Sequence, residues 1–396
     1  MESQHVPSGM EAQHIPSGAS RHLPAMRGGA LPFKNLYVHI PFCKHKCGYC
    51  DFNAYAGMDR LMPDYIGALE RELTVAREQH AFARLETVYL GGGTPSLLPP
   101  ELVARLLRFI GDSFDVAPEA EVTLEANPAS TDEARLTAWL EGGVNRLSLG
   151  VQGFEPRALA VLERRTDAAQ ATRAFGLARS MGMPNISVDL IYAVPFQSRE
   201  SWLETLRRAA AMGPDHISTY CLAFEEGTLL WRRRAEGRVP EVEPDLQWDQ
   251  LDAACAELDL AGFRRYEVSN WARPGFESRH NLAYWRCRPV YGSGAGAHSY
   301  STDGTAARRW WNVARPREYI AAQQAVADGE YLPARKAASE ALMLGLRTVD
   351  GMQAPAGFES ELDQLVRDGL IERRADRVAP TRRGLDLHNQ IALVVL

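Results

Sequence analysis

Three cysteines lie within eight residues, in the segment Cys43-Lys-His-Lys-Cys47-Gly-Tyr-Cys50. An iron–sulfur cluster is usually held by four thiolates, so a group of three leaves one iron with an open coordination position. Open positions on protein metals serve chemistry, whereas closed sites serve structure. The spacing therefore predicts a [4Fe–4S] cluster with one reactive iron. A zinc site made by these thiols with His39 or His45 is the alternative, although the chain has no second Cys-x2-Cys pair to complete a structural zinc site.

Two further features place polar groups near the ends of predicted strands. The glycines of Tyr89-Leu-Gly-Gly-Gly-Thr-Pro-Ser96 would let backbone approach a ligand closely, although a simple tight connection has the same composition. The segment lacks the lysine and the spacing of a phosphate loop. Asp189 lies in the apolar run Ser187-Val-Asp-Leu-Ile191, and a buried acid needs a polar partner. Ribose hydroxyls of a ligand would serve, as would backbone amides in a purely structural arrangement.

The motifs together resemble those of the oxygen-independent coproporphyrinogen oxidase group of radical S-adenosylmethionine (SAM) proteins. The similarity runs from about residue 35 to the C-terminus and rests on the segments YVHIPFC (37–43), GGGTPS (91–96), LEANP (124–128), LGVQ (149–152), SVDLIY (187–192) and HISTYCL (216–222). It implies a cluster on Cys43, Cys47 and Cys50, with SAM bound to the open iron.

The resemblance also implies which residues contact SAM. The glycine carbonyls and the carboxylate of Glu125 would receive the SAM ammonium, which has donors and no acceptor. The implied SAM contacts are Tyr37, Gly92, Gly93, Thr94, Glu125, Gln152, Arg164, Asp189 and Ala223.

Two segments depart from the pattern of this group. The group usually has Leu-Gly-Arg-x-His where this chain has Leu162-Glu-Arg-Arg-Thr166. It usually has Gly-x-Pro-Gly where this chain has Ala193-Val-Pro-Phe196. Because both segments lack these glycines, the sequence does not predict the backbone conformation of the two turns.

Two subgroups share the scaffold, and the residues after the cysteines separate them. In porphyrinogen dehydrogenases the motif has a fourth cysteine, Cys-x3-Cys-x2-Cys-x-Cys. This chain has Phe52 at that position, in Cys50-Asp-Phe52, and so resembles the heme chaperones. The short stretch before Leu36 and the motifs Tyr266-Glu-Val-Ser-Asn-Trp271 and His280-Asn-Leu-Ala-Tyr-Trp285 also resemble the chaperones. The resemblance thus implies heme delivery to a recipient hemoprotein, with an electron donor as second partner.

Two other functions stay open. One is a coproporphyrinogen III dehydrogenase that decarboxylates propionates by radical chemistry, and the other is an iron–sulfur or zinc module for structure or sensing. The sequence therefore does not decide whether the chain is an enzyme. If it is a heme chaperone, we expect no coproporphyrinogen dehydrogenase activity.

Candidate heme contacts come from the second chaperone-like motif. His280 with Tyr284 and Trp285 offers an imidazole for heme iron and two rings for a porphyrin face, although the same residues could build a half-buried corner. His298 and Cys287 are secondary candidates.

Composition narrows the remaining choices. The 396 residues carry a net charge of -6, without the basic footprint of nucleic-acid binders. The other cysteines are scattered, and neither a signal peptide nor a long apolar run is visible. We therefore expect a reduced cytoplasmic protein that does not bind nucleic acid, and peripheral association with a membrane stays open.

Alternating β-rich and helical segments predict the scaffold. Six βα-like units imply an α/β fold with a parallel sheet, and six are too few for a closed eight-stranded barrel, so we expect a partial (βα)6 barrel. The predicted strands are 36–40, 87–90, 121–125, 146–151, 186–191 and 216–222. The predicted helices between them are 62–79, 100–110, 131–141, 168–181 and 201–212.

The predicted division has four parts. They are a disordered tail (1–34), the partial barrel (35–223), an α+β extension (224–315) and a mostly helical, winged-helix-like C-terminal module (316–396).

Overall fold

The computed structural model describes residues 29–396, so most of the predicted tail (1–34) lies outside the described residues. The first strand begins at Phe33, before the predicted end of that tail. The Phe33 side chain is only 2% exposed and contacts the rings of Phe82, Tyr291 and Trp310. Burial of this ring explains why β1 includes two residues that the polar composition assigned to the tail.

Seventeen strands are found within residues 29–396. They are β1 (Phe33–Ile40), β2 (Phe42–Cys43), β3 (Tyr55–Ala56), β4 (Phe82–Gly92), β5 (Val116–Ala126), β6 (Arg146–Gln152), β7 (Asn185–Tyr192), β8 (His216–Cys221), β9 (Arg264–Glu267), β10 (Asn270–Ala272), β11 (Val290–Ser293), β12 (His298–Thr302), β13 (Ala307–Asn312), β14 (Val326–Leu332), β15 (Met352–Gln353), β16 (Ile371–Arg374) and β17 (Arg377–Pro380).

Fourteen α-helices accompany these strands in the same residues. They are α1 (Met62–Gln79), α2 (Pro100–Ser113), α3 (Glu133–Glu141), α4 (Pro156–Val161), α5 (Ala168–Ser180), α6 (Arg199–Ala211), α7 (Leu229–Ala235), α8 (Pro244–Leu260), α9 (Arg279–Trp285), α10 (Pro316–Ala321), α11 (Ala334–Gly345), α12 (Glu359–Arg367), α13 (Arg382–Asp386) and α14 (His388–Val395). None of the helices described is long and apolar enough to cross a membrane.

The main sheet has twelve strands in the order β14-β13-β12-β11-β1-β4-β5-β6-β7-β8-β10-β9. Strands β1, β4, β5, β6, β7 and β8 are parallel neighbours, which confirms the six predicted units. A seventh parallel strand, β11, pairs with the free side of β1. The sequence did not predict it, because four residues running into a glycine-rich stretch resemble a loop.

Side chains that alternate along each strand give the main sheet one apolar face and one polar face. In β1 the side chains of Leu36, Val38 and Ile40 are fully buried in the main apolar core with α1. The intervening Tyr37 and His39 lie on the opposite face. This period of two brings polar side chains from neighbouring strands together on one surface of the sheet.

The segment predicted as a separate extension (224–315) contributes strands to both ends of this sheet. Strands β10 and β9 continue it antiparallel beyond β8, and β11 to β13 continue it beyond β1. Strand β14, from the segment predicted to be mostly helical, completes that side. The boundaries at 223 and 315 stay predictions, and the sheet runs continuously across both.

The C-terminal module has its own small sheet and core. Strands β15, β17 and β16 form a three-stranded antiparallel sheet, and the predicted hairpin corresponds to β16 and β17. Its separate apolar cluster includes Leu342, Phe358 and Ile391. The winged-helix-like description of this module stays a prediction.

Candidate cofactor site

The cysteines occupy a loop directly after β1, here called the cluster loop (residues 43–53). It begins at the end of β2, which pairs in parallel with β3 just after the loop. Asn53 anchors its end, because the amide Nδ2 donates to the carbonyls of Ala295 and Ala314, each at 2.9 Å. The loop is thus fastened to the segments that follow β11 and β13.

The structure does not support a zinc site that uses His39. The ring nitrogens of His39 are hydrogen-bonded to the Tyr37 hydroxyl (3.0 Å) and the Asn53 carbonyl (2.9 Å). Within residues 29–396, no three His, Cys, Asp or Glu side chains converge on one ion. A [4Fe–4S] cluster presents a separate iron to each thiolate, so its ligands need not converge in this way.

The surroundings of the thiols suit a cluster. Cys43 is nearly buried, and its Sγ lies 3.3 Å from the Thr94 hydroxyl. Arg164 Nη1 donates to Cys47 Sγ at 3.7 Å. Burial raises the pKa of Cys43 and raises that of Cys50 to about 12. Metal binding must therefore displace these protons, and the nearby donors favour the thiolate that results.

Gly93 allows the glycine turn to approach the cysteines. A Cβ at this position would lie 2.8 Å from the Phe42 carbonyl and 3.1 Å from Cys43 Sγ. Gly92 has φ +114, and a Cβ there would lie 2.5 Å from the His39 ring. Gly92 and Gly93 are therefore required sterically, and the backbone of Gly93 lies directly against the start of the cluster loop.

Glu125 is held beside this turn at the carboxyl end of β5. Its Oε1 accepts from the Tyr89 hydroxyl at 2.8 Å, and its Oε2 accepts from Gly92 N at 3.0 Å. Burial raises the pKa of Glu125 to about 7, although both donors act in the opposite direction. A cation entering here would bind a preoriented carboxylate.

Asp189 has partners that the sequence did not predict. Its carboxylate accepts from the hydroxyls of Ser148 (2.9 Å), Ser187 (3.3 Å) and Ser218 (2.8 Å). These serines come from β6, β7 and β8, so three strands place them around one acid. Burial raises the pKa of Asp189. The signal in the sequence was a serine at the same-facing position of each strand.

The predicted SAM contacts share one property. Tyr37, Glu125, Gln152 and Asp189 come from strands that are otherwise largely buried, yet each is partly exposed. The remaining predicted contacts lie at the end of β4 or in loops and are also partly exposed; they are Gly92, Gly93, Thr94, Arg164 and Ala223. Their individual contacts with SAM stay predictions. The partly exposed surface that they form near the carboxyl ends of the parallel strands, where such folds bind ligands, is here called the cleft.

The two segments that depart from the family pattern contain non-glycine residues with positive φ. Glu163, Ala193 and Phe196 have φ values of 54, 57 and 70, in the left-handed region that favours glycine. Each stands where the group usually has glycine. Thr166, in place of the usual histidine, donates its hydroxyl to Asn127 Oδ1 at 2.9 Å. Both turns are therefore formed without the glycines.

His280 lies beneath the cleft rather than at its surface. It is 1% exposed, its Nδ1 is 2.7 Å from the Thr87 hydroxyl, and its ring stacks on Tyr89 at 4.9 Å. Tyr284 meets the same imidazole edge-on at 5.2 Å. Burial lowers the pKa of His280 to about 3, so the ring is neutral. Its Nε2 has no hydrogen-bond partner within the described part of the chain.

Trp285 has different neighbours. The Arg347 guanidinium lies over its ring at 4.4 Å, and Arg347 Nε donates to Glu267 at 2.8 Å. The structure thus joins His280 with Tyr284 but pairs Trp285 with the C-terminal module. His298 is exposed and stacks on Trp311 at 5.6 Å.

Glu121 and His216 support the site, although the sequence analysis assigned neither of them a role. Glu121 accepts from the first amides of α9, Arg279 N and His280 N, both at 2.9 Å, where the positive end of a helix favours a carboxylate. His216 bridges Ser187 (2.8 Å) and the Tyr266 hydroxyl (3.0 Å).

Comparisons with known proteins agree with this architecture. The family model for the radical SAM superfamily matches residues 37–209. Heme chaperone HemW of Mycobacterium tuberculosis is 38% identical over 92% of this chain and 95% of its own length. Heme chaperone HemW of Bacillus subtilis is 32% identical, with 90% and 98% covered.

A solved structure reproduces the fold. Coproporphyrinogen III oxidase (HemN) from Escherichia coli, described as a radical SAM enzyme, superposes with a TM-score of 0.78 at 23% identity, covering 91% of this chain and 89% of that one. The radical SAM domain has a [4Fe–4S] cluster and SAM as its cofactors. Similarity over almost the full length, together with the cluster loop and the cleft above it, shows that this chain belongs to the HemW family of radical SAM proteins.

Proposed function

We propose that the protein is a cytoplasmic heme chaperone, which binds heme beside its cluster and SAM and delivers it to a recipient hemoprotein. The observation that carries this proposal is the similarity to proteins named heme chaperone HemW over 92% of the chain. The absence of a fourth cysteine after Cys50 supports the same choice, because Phe52 stands there and is 53% exposed.

Each group in the cleft has a defined task in this proposal. Cys43, Cys47 and Cys50 hold the cluster, which supplies an open iron for SAM and an electron for its cleavage. Arg164 and Thr94 donate toward the cysteine sulfurs and stabilise their negative charge.

The SAM ammonium binds the carboxylate of Glu125, which Tyr89 and Gly92 orient. Asp189, which its three serine neighbours orient, would accept hydrogen bonds from the ribose hydroxyls of SAM. Whether SAM is cleaved productively is a separate property from heme delivery.

His280 is the proposed iron ligand. Its Nδ1 is oriented by Thr87, and Nε2 is left without a partner within residues 29–396, as expected of a neutral imidazole that awaits a metal. Because the ring is 1% exposed, heme binding requires the side chains that cover Nε2 to move aside while the Thr87 contact is kept. Tyr284, at the edge of the imidazole, would then contact the porphyrin, whereas Trp285 would hold α9 against Arg347.

The alternative is a coproporphyrinogen III dehydrogenase. The similarity to HemN shows the fold alone, because the two sequences are only 23% identical. A single anaerobic experiment separates the two functions. The cluster is reconstituted, heme is titrated into one sample, and coproporphyrinogen, SAM and a reductant are added to another.

We expect one heme per chain, no protoporphyrinogen, and loss of heme binding in His280→Ala but not in His298→Ala. Formation of protoporphyrinogen would contradict the chaperone function. Equal heme binding by both variants would place the heme elsewhere. A protein that takes up zinc and no iron would contradict both functions.

A further inference from the structure

Glu163 occupies a backbone conformation that suits glycine better than glutamate. Its φ of 54 lies in the left-handed region, where a Cβ meets the following carbonyl. The family pattern has glycine at this position. The glutamate side chain must therefore make contacts that offset the unfavourable backbone.

Those contacts are with the cluster loop and with α7. Arg233 Nη2 lies 2.5 Å from Glu163 Oε1, and His45 Nε2 lies 3.9 Å from Oε2. A Cβ on Gly48 would lie 3.1 Å from both Cδ and Oε2 of Glu163. The carboxylate is thus packed on the backbone of Gly48, between the second and third cysteines.

Helix α7 closes the same turn from another side. Leu230 N donates to the Gly48 carbonyl at 2.7 Å. Leu230 also belongs to the apolar cluster that includes Leu222 and contacts Tyr49. Arg164, the residue next to Glu163, donates to Cys47. Residues 47–50 are therefore enclosed between the turn at 163–164 and the start of α7.

We propose that Glu163 is a positioning residue for the cluster loop. Its ion pair with Arg233 locks α7 to the turn at 163–164, and this lock keeps Cys47 and Cys50 in place for the cluster. Cys43 does not depend on the lock, because β2 and Thr94 hold it instead. The role concerns retention of the cluster and is independent of which porphyrin the protein handles.

The test uses the full chain in two forms. In the cluster-free protein, hydrogen exchange is followed at the amides of Cys50 and Leu230, which donate to Cys47 O and Gly48 O. In the reconstituted protein, the rate of iron loss to a chelator is measured. The variants are Glu163→Gln, Glu163→Gly and Arg233→Gln. Arg232→Gln, an exposed arginine on the same helix, is the matched control.

We expect Glu163→Gln and Arg233→Gln to speed both exchange and iron loss at least tenfold, with Arg232→Gln unchanged. The Glu163→Gly variant distinguishes the effect of losing the carboxylate from the effect of relieving the backbone strain. It should melt at the native temperature or above, because its backbone is relaxed, and still lose iron quickly.

Native rates in Glu163→Gln and Arg233→Gln would overturn the proposal, as would equal effects of Arg232→Gln. Slow iron loss in Glu163→Gly would also overturn it, because the carboxylate would then be dispensable. Heme binding is measured in neither assay, so these outcomes stand apart from the test of the chaperone function.

Discussion

The Tyr89 hydroxyl donates a 2.8 Å hydrogen bond to Glu125 Oε1. The same tyrosine ring stacks on His280 with centroids 4.9 Å apart. One side chain therefore contacts both the carboxylate proposed for SAM and the imidazole proposed for heme. We therefore expect a shift of Glu125 to change the position of the ring that stacks on His280.

Replacing Tyr89 with phenylalanine should weaken SAM binding while preserving the stack on His280. Glu125 loses a donor that lowers its pKa, so its pKa rises above about 7 and less carboxylate is available at neutral pH. A lost hydrogen bond to a charged group is worth about 1.5–3 kcal/mol, so we expect SAM affinity to fall roughly tenfold or more. Calorimetric titration of the reconstituted protein at pH 7 measures it. Equal affinity in Tyr89→Phe and the native protein would contradict the assigned role.

SAM affinity should also depend on pH through Glu125. Because its folded pKa is about 7, Glu125 is protonated below that pH and must release a proton to bind an ammonium. Affinity should fall by up to about tenfold for each pH unit below 7 and level off above it. Titrations between pH 5.5 and 8.5 check this. Glu125→Gln should bind weakly at every pH, and a slope that persists in this variant would assign the titration to another group.

The same carboxyl group affects stability with a defined sign. Its folded pKa is raised above the unfolded value, which is about 4.3, so the folded protein binds the proton more tightly. The stability that Glu125 contributes is therefore present below the unfolded pKa and is lost as pH rises toward 7. Urea unfolding of the cluster-free protein should show this loss in the native chain and not in Glu125→Gln.

Arg347 should be among the costliest arginines to remove. It pairs with Glu267, whose side chain is fully buried, and it also covers Trp285. Removing one partner of a buried ion pair costs about 3–5 kcal/mol, because the other charge is left unpaired. Arg286→Ala is the control, since its pair with Asp350 is exposed and is worth about 0–1 kcal/mol. Urea unfolding measures the loss of unfolding free energy in both variants. Equal losses for Arg347→Ala and Arg286→Ala would show that the buried pair with Glu267 contributes no more to stability than the exposed pair.

Glycine should be tolerated or favoured at the second departing turn. Ala193 has φ 57, and its amide donates to Gln250 Oε1, a contact that glycine would keep. Relief of the left-handed strain, offset by the flexibility of glycine in the unfolded chain, predicts that Ala193→Gly is stabilised by up to about 1 kcal/mol. Phe196→Gly should gain less, because its ring lies 4.2 Å under the Arg157 guanidinium. A clear destabilisation of Ala193→Gly would show that the backbone is not strained there.

The sequence predicted the elements whose signals are local. Helix α1 begins and ends at the predicted residues, and the six parallel strands fall where β-rich runs alternate with helices. The cysteine spacing, the triple glycine and Glu125 could be proposed as site residues because each stands in a short motif at a strand end.

What the sequence could not predict depends on residues far apart in the chain. Strand β11 is recognisable only through its pairing with β1, and the serines around Asp189 meet only when three strands align. His280 was paired with Trp285 by proximity in sequence, but a helical segment directs residues 280 and 285 to different neighbours.

The position of β1 between β4 and β11 has a consequence for biosynthesis. Its residue Asn35 pairs with Thr87 on one side and with Val290 on the other. During translation the strand that leads into the cysteines therefore keeps an open edge until residue 293 has left the ribosome. Asn53, which fastens the cluster loop, likewise waits for Ala295 and Ala314. The cluster loop is consequently completed late, so the iron–sulfur centre is best inserted into a chain whose synthesis is almost finished.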